Sequence, residues 1–307
     1  MKHCAILIIA ILIALSFLGC KEEPVPVCEH IWDSGTVRRE PTCIMRGIVF
    51  YTCSVCGELK ESIIPALGHT PDENHVCSVC GNFAPFIGPA GGYVFYDCDM
   101  DNESGNADGL ISSECGWRYL EAAPSDLRVI GGIPCVDSSF NKDDIYGAGY
   151  GYARFMFGLY KTSEDGNSLY VNGSTVFDPS DCTGTAIGTG KHNTELIVGS
   201  RGEEAYPANK STKKSGDYAA RLCDLLSYKV KGVTFDDWFL PSKDELRLLY
   251  LVLYKSELGN FLEDKYCSSS ESTDSPGRYW FHYFDRGRQM SSSQGYYDCF
   301  VRPIRAF

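Results

Sequence analysis

Asp237-Trp238-Phe239-Leu240-Pro241-Ser242-Lys243-Asp244-Glu245-Leu246 is the stretch on which the reading of the fold turns. Residues 238–240 are aromatic and apolar and read as a short strand. Pro241 punctuates it, and Ser242-x-x-Glu245 is a capping box that opens a helix. Leu246, Leu249, Tyr250 and Leu253 then recur at helical spacing. Upstream, a second helix is expected over about 217–228, with Leu222, Leu225 and Leu226 apolar, and residues 91–96 and 117–120 read as strands. Downstream, 279–284, 287–290 and 300–306 read as clustered short strands. Helices followed by such strands predict an α+β fold over residues 85–307.

The 307 residues are 44% hydrophobic and 22% charged, which excludes wholesale disorder, collagen and coiled coil. That length accommodates one large domain and a small one. A formal charge of −12 speaks against a nucleic-acid partner, whose phosphates require clustered Lys and Arg.

At the front, Lys2 precedes an apolar run over 5–18, shorter than the ~20 residues a spanning helix needs, so it reads as a signal-peptide core. Leu18-Gly19-Cys20 resembles the lipobox of bacterial lipoproteins. The resemblance implies removal of residues 1–19, lipidation of Cys20 and a tether over 20–27. A membrane partner through the lipid anchor, in the bacterial cell envelope at the outer membrane and surface-exposed, is therefore expected.

Six cysteines fall between Cys28 and Cys80. Cys28-x-His30, Cys53-x-x-Cys56 and Cys77-x-x-Cys80, with His69 and His75, have metal-ligand spacing, because a two-residue gap on a tight turn aims both thiolates at one tetrahedral ion. Each Cys-x-x-Cys is followed by Gly57 or Gly81. A disulfide framework is the competing reading for an exported chain. A structural zinc is expected, since a segment of this size with few large apolar residues does not fold on burial alone. The stretch from Cys28 to about His69 resembles zinc-ribbon-like modules of bacterial surface proteins, and residues 75–81 look like the start of a truncated second copy. The module is expected over 28–84. The seven later cysteines lack metal spacing and read as buried thiols or an occasional disulfide.

A second resemblance rests on Gly91-Gly92-Tyr93-Val94-Phe95-Tyr96, Gly116-Trp117-Arg118-Tyr119-Leu120-Glu121-Ala122-Ala123-Pro124, the opening stretch through Ser242, Asp244-Glu245-Leu246, Ser268-Ser269-Ser270-Glu271 and Val301-Arg302-Pro303-Ile304-Arg305. These resemble the family of bacterial surface domains similar to the C-terminal domain of a collagen-like adhesin, which implies a C-type lectin fold. The final segment, 266–307, is similar to the variable region of proteins diversified by retroelements, most closely the lipid-anchored variable proteins of treponemes. The resemblance implies ligand binding without catalysis, with a protein as the leading ligand. It also implies that Trp280, Gln289, Met290 and Gln294 are fixed. Residues compatible with variation, and so expected to bind ligand, are Ser272, Thr273, Asp274, Arg278, Tyr279, Phe281, His282, Tyr283, Asp285, Arg286 and Arg288. Ser291, Ser292, Ser293, Gly295, Tyr296, Tyr297, Asp298 and Cys299 complete the set.

Composition supports a binding face on its own: residues 278–299 hold seven aromatics in 22 positions, mixed with Ser, Gly and Arg. Tyr gives large amphipathic contact at low entropy cost, and Ser and Gly adapt. Strand alternation is expected to put Trp280, His282 and Phe284 on one face, and Tyr279, Phe281 and Tyr283 on the other, one packed and one displayed. Trp280, Phe284 and Phe300 read as core.

Other signals are weaker. Asp97-x-Asp99-x-Asp101, with Asp108, resembles a calcium loop but has Asn102 where the sharp turn needs Gly, so a solvated acidic loop is the preferred reading over calcium. Gly188-Thr189-Gly190-Lys191 lacks the first Gly and the following Ser or Thr of a phosphate loop. The lectin-like fold also hosts formylglycine-generating enzymes; Cys267 and Cys299 are present, yet their flanks do not match. That enzyme class and a fixed glycan-binding adhesin are the alternatives to a diversified receptor.

Overall fold

The computed structural model describes residues 28–100, 112–130, 132–136, 154–157, 161–162, 168–169, 178, 180, 182–202, 217–274, 277–293 and 298–307. The expected signal peptide, Cys20, the tether and Asp101, Asn102 and Asp108 lie outside them. The chain divides into two compact units: one takes the described residues through Glu40 with Arg46–Pro65, and the other takes Pro41–Met45 and Ala66–Phe307.

The first unit is an antiparallel sheet in the order β1 (Thr36–Arg39), β2 (Gly47–Thr52), β3 (Leu59–Ile64). Its central strand, Gly-Ile-Val-Phe-Tyr-Thr, is β-branched and aromatic, the composition that fits a half-buried pleat. The Asp33 carboxylate accepts the Gly35 and Thr52 amides at 2.9 and 3.1 Å, fixing the turn into β1.

In the second unit, β4 (Phe86–Ile87), β5 (Tyr93–Asp97) and β6 (Tyr119–Ala122) join one sheet. Short pairs follow: β7 (Arg128–Ile130) with β8 (Ile133–Cys135), β9 (Phe155–Met156), β10 (Lys161–Thr162) with β11 (Ser168–Leu169), and β12 (Tyr228–Val230) with β13 (Val233–Phe235). Next come β14 (Lys265–Glu271), β15 (Arg278–Tyr283), β16 (Arg288–Ser293), β17 (Asp298–Cys299) and β18 (Ile304–Ala306). β14, β15 and β16 form one antiparallel sheet, β17 pairs with β9, and β18 returns the C-terminus against β6 to give the order β18-β6-β5-β4. Helices span Ser112–Cys115, Gly190–Arg201, Ala219–Asp224 and Lys243–Leu248. The architecture is therefore mixed α and β.

The capping box forms as expected. Ser242 Oγ accepts the Glu245 amide, and the Glu245 carboxylate accepts the Ser242 amide at 2.6 Å. The helix continues as a π-turn, Leu249–Leu253, which keeps Leu249 and Leu253 buried. Five expectations need correction. The strand expected over 117–120 runs Tyr119–Ala122, and that over 300–306 is confined to Ile304–Ala306. Residues 238–240 make a single bridge, Phe239 to Ile304, rather than a strand. The 217–228 helix stops at Asp224, because Tyr228 is drawn into β12 and its hydroxyl donates to the Ala90 carbonyl at 3.1 Å. The strand over 91–96 starts two residues late: Gly91 sits at φ +85° in a turn closed by the Gly88 amide on the Gly92 carbonyl, 2.8 Å. At Gly92 itself a Cβ would lie 1.7 Å from the Ala122 carbonyl oxygen, so only glycine lets β5 approach β6 this closely.

Two apolar clusters fill the unit. One gathers Leu127, Phe155, Phe157, Tyr218, Leu222, Trp238, Tyr279, Phe281 and Val301. The other gathers Phe95, Leu120, Phe239, Leu246, Leu249, Tyr266, Phe284, Phe300 and Ile304. β15 supplies the first, and Phe284, directly after it, supplies the second. A buried ion pair ties them together: Arg302, with no exposed side-chain surface, donates Nε to Asp126 at 2.8 Å, while the Tyr266 hydroxyl donates to the same carboxylate at 2.7 Å.

Candidate metal centres and ligand-binding face

The sequence Cys-Ser-Val-Cys-Gly occurs twice, at Cys53–Gly57 and Cys77–Gly81, and folds twice into the same turn. Gly57 and Gly81 take φ +75° and +74°, and their amides donate to the Cys53 and Cys77 carbonyls at 2.9 and 2.8 Å. Ser54 and Ser78 donate side-chain bonds to the Ile31 and Thr70 carbonyls, which ties each turn to the segment carrying its cluster's histidine.

Each turn completes a four-residue cluster that could hold a metal ion: Cys28, His30, Cys53 and Cys56 in the first unit, and Cys43, His69, Cys77 and Cys80 in the second. Within each, one sulfur–sulfur separation is 3.9 Å, Cys28 to Cys53 and Cys43 to Cys77. The histidine Nδ1 atoms lie 3.4 Å from Cys56 Sγ and 3.5 Å from Cys80 Sγ. Burial pushes the Cys53 thiol up, but the Cys56 amide, His30 and the Val55 amide outweigh it and hold it at about 6. Burial likewise opposes, and the Thr70 and Cys80 amides with His69 outweigh it, at Cys77, held at about 5. One ligand in each cluster is thus a thiolate at neutral pH.

Seven of the eight expected ligands fall in these clusters. His75 does not: it takes φ +61° and stacks on Phe86 with ring centroids 3.7 Å apart. Cys43, from Pro41-Thr42-Cys43, takes the place His75 was given. The one-module expectation becomes two clusters, one in each unit.

The C-terminal face sorts differently from the alternation argument. Facing the first apolar cluster, Tyr279 and Phe281 are 0% and 2% exposed rather than displayed, with Tyr279 stacked on Phe157 at 4.9 Å. Facing the second, His282 is 2% exposed, 4.6 Å from Tyr250 and 5.3 Å from Phe284. Both faces of β15 are packed because a cluster lies on each side. Ser272, Ser292 and Cys299 are also buried. Thr273, Asp274, Asp285, Arg286 and Arg288 are exposed, and Arg278, Tyr283 and Ser291 are half-buried. Gly295, Tyr296 and Tyr297, and the side chains of Ser293 and Asp298, lie outside the described part, as does Gln294.

Of the residues expected to be fixed, Trp280 and Gln289 are held in place, whereas Met290 is exposed and Gln294 lies outside the described residues. Lys243 Nζ sits 4.2 Å over the half-buried Trp280 ring, and Gln289 donates to the Lys243 carbonyl at 2.6 Å, clamping the hairpin to the capped helix. At the tip, the Arg286 guanidinium covers Tyr283 at 4.8 Å and pairs with Asp285 at 3.1 Å.

No family model matches the chain, and no curated protein matches it.

The remaining signals also have places. Asp97 of the acidic loop binds Arg118 through both oxygens, at 3.0 and 2.9 Å. The Gly188–Lys191 stretch opens the helix Gly190–Arg201, whose Lys191 and His192 line a cavity of about 370 Å³ with Cys115, Trp117, Phe239 and Glu245. Cys267 and Cys299 are 1% and 0% exposed, within the first apolar cluster.

Proposed function

We propose that this chain is a lipid-anchored protein of the bacterial envelope. Two structural zinc ions brace its N-terminal part, and a C-type-lectin-fold domain captures a ligand, a protein in the first instance, on its diversifiable C-terminal hairpin. Tetrahedral zinc with Zn–S of about 2.3 Å and Zn–N of about 2.05 Å has sulfur–sulfur edges of about 3.8 Å and sulfur–nitrogen edges of about 3.5 Å. Separations of 3.9 Å and of 3.4–3.5 Å agree with those edges in both clusters. A Cys3His set closes all four positions, so these ions would support the fold and leave no site for a substrate.

The observation that carries the binding reading is the division of labour on β15 and β16. Tyr279 and Phe281 are buried and Trp280 and Gln289 are clamped, while Asp285, Arg286 and Arg288 are exposed at the tip and Tyr283 is half-buried beneath Arg286. A packed platform with an exposed Arg-bearing rim over a half-buried Tyr is the chemistry of protein-binding hot spots, and the exposed rim positions are Asp285, Arg286 and Arg288. Side chains there can change without disturbing a core.

Sequencing the gene from many isolates or sub-clones tests it. Differences concentrated at Thr273, Asp274, Asp285, Arg286 and Arg288, sparing Tyr279, Phe281, Trp280 and Gln289, are expected. A uniform segment would remove diversification and leave the fixed adhesin or the enzyme.

A further inference from the structure

We propose that Cys98 and Cys115 are a disulfide-forming pair, oxidised by exchange with an external disulfide such as that of an oxidised dithiol protein or glutathione. In the cell this rests on the export reading above, since a reducing compartment would keep both thiols. Cys98 follows β5 and Cys115 ends the helix Ser112–Cys115. Their sulfurs are 3.8 Å apart, and both thiols donate to one acceptor, the Trp117 carbonyl, at 3.2 and 3.1 Å. A shared acceptor holds both sulfurs on one side of the chain, in contact.

Distance does not distinguish this pair from the N-terminal sulfurs at 3.9 Å; the neighbours do. Each N-terminal pair has a third and fourth ligand, and among the described residues only those two clusters could hold a metal. Of the carboxylates beside Cys98, Asp97 grips Arg118, and Asp99, whose Oδ1 accepts from the Cys98 thiol at 4.0 Å, also lies 3.6 Å from the same guanidinium. Two thiols in contact, sharing one carbonyl acceptor and belonging to neither metal cluster among the described residues, favour a covalent bond. Closing from 3.8 Å to the ~2.05 Å of a disulfide requires a side-chain rotation, for which half-buried Cys115 at a helix end has room.

Access sets the order of events. Cys115 lines the 370 Å³ cavity beside Lys191 and His192, whereas Cys98 is 4% exposed. Burial and the neighbouring Cys115 push the Cys98 thiol up to about 12. Cys115 therefore attacks first. Its thiolate displaces one sulfur of the external disulfide as a thiolate and forms a mixed disulfide. Cys98 then gives up its proton and attacks the Cys115 sulfur, expelling the second external thiolate. Two electrons pass to the external disulfide, and its two thiolates take up the two protons lost by Cys98 and Cys115. Cys267 and Cys299, at 1% and 0% exposed, offer an external disulfide no such approach.

The test uses the full zinc-loaded chain, reduced and then equilibrated in glutathione buffers from fully reduced to fully oxidised. Remaining thiols are alkylated and the digest is read by mass spectrometry. A Cys98–Cys115 linked peptide, lighter by two hydrogens, is expected, with a thermal midpoint about 5 °C higher than the reduced chain. Cys115→Ser removes both signals. Separate alkylation of both cysteines across the whole series overturns the proposal, and the wild-type mapping decides this even if a variant fails to fold. The same alkylation at cell harvest separates the two readings. Oxidation in the cell supports both. A pair that forms in glutathione but is reduced in the cell overturns export and leaves the pair standing.

Discussion

Two buried groups titrate in opposite senses, and exchanging either one should expose the other. Glu245 closes the capping box from inside the protein. Burial raises its carboxyl to about 7 from 4.5, against the Ser242 and Gly188 amides that lower it. A carboxyl raised in the folded state adds stability below the unfolded value and loses it as pH climbs through the folded value. At about 1.4 kcal/mol per pH unit between those values, Glu245 withdraws about 3 kcal/mol between pH 4.5 and 7. His282 runs the other way. Burial, with Arg247 beside it, lowers the imidazole to about 4 from 6.5, and neither ring nitrogen has a hydrogen-bond partner among the described residues. Its contribution is present above pH 6.5 and is lost, up to about 3 kcal/mol, as pH falls toward 4. The two offset each other between pH 4.5 and 6.5. Urea unfolding of the wild type, Glu245→Gln and His282→Phe at half-unit intervals from pH 4 to 8 separates them. The advantage of wild type over Glu245→Gln should shrink by about 3 kcal/mol from pH 4.5 to 7.5, and that over His282→Phe should grow by a similar amount from pH 4 to 7. Differences flat within about 1 kcal/mol would refute the assignment of these titrations to buried groups.

Metal analysis of the purified chain should give two zinc ions; Cys43→Ser should leave one and His75→Ala two. Chelation should abolish the near-ultraviolet signal of Trp32, next to the first cluster, because such sites supply folding energy. Asp126→Ala should cost about 3–5 kcal/mol in denaturant midpoint analysis, since Arg302 is left charged and buried and Tyr266 loses its acceptor. Less than 1 kcal/mol would mean the arginine finds water. Arg286→Ser with Arg288→Ser should change stability by less than about 0.5 kcal/mol while altering ligand capture, whereas Phe281→Ala should cost about 3–5 kcal/mol.

What was legible in the sequence was local. The capping box, the two Cys-x-x-Cys-Gly turns and the β15–β16 hairpin each involve residues a few positions apart whose chemistry dictates their conformation. The helix Gly190–Arg201 was not legible: Thr189 at its start makes no side-chain cap bond, and its middle carries Gly199 and a single fully buried apolar residue, Ile197. β14 was quoted as a motif but not recognised as a strand, because its three serines break the apolar pattern. They are buried nonetheless, with Ser268 donating to the Trp280 carbonyl and Ser270 to the Gly184 carbonyl, at 2.6 and 2.7 Å. The displayed and buried sides of β15 were misassigned for a different reason. Periodicity shows that a strand has two faces, but it carries no information on whether a second layer covers the other one.

Cys43 also constrains how the protein can be shortened or rearranged. Along the chain it falls after Cys28 and His30 and before Cys53 and Cys56, yet it belongs to the later of the two candidate clusters. The two clusters are therefore interleaved and not consecutive. During synthesis the first can close once Cys56 emerges, while Cys43 must wait for Cys80. A version trimmed to begin at residue 66 would carry His69, Cys77 and Cys80 with an open fourth position. Recombination that exchanged the N-terminal segment for another would have to supply that one thiol or leave the later cluster with three of its four residues, so the segment is not a detachable spacer.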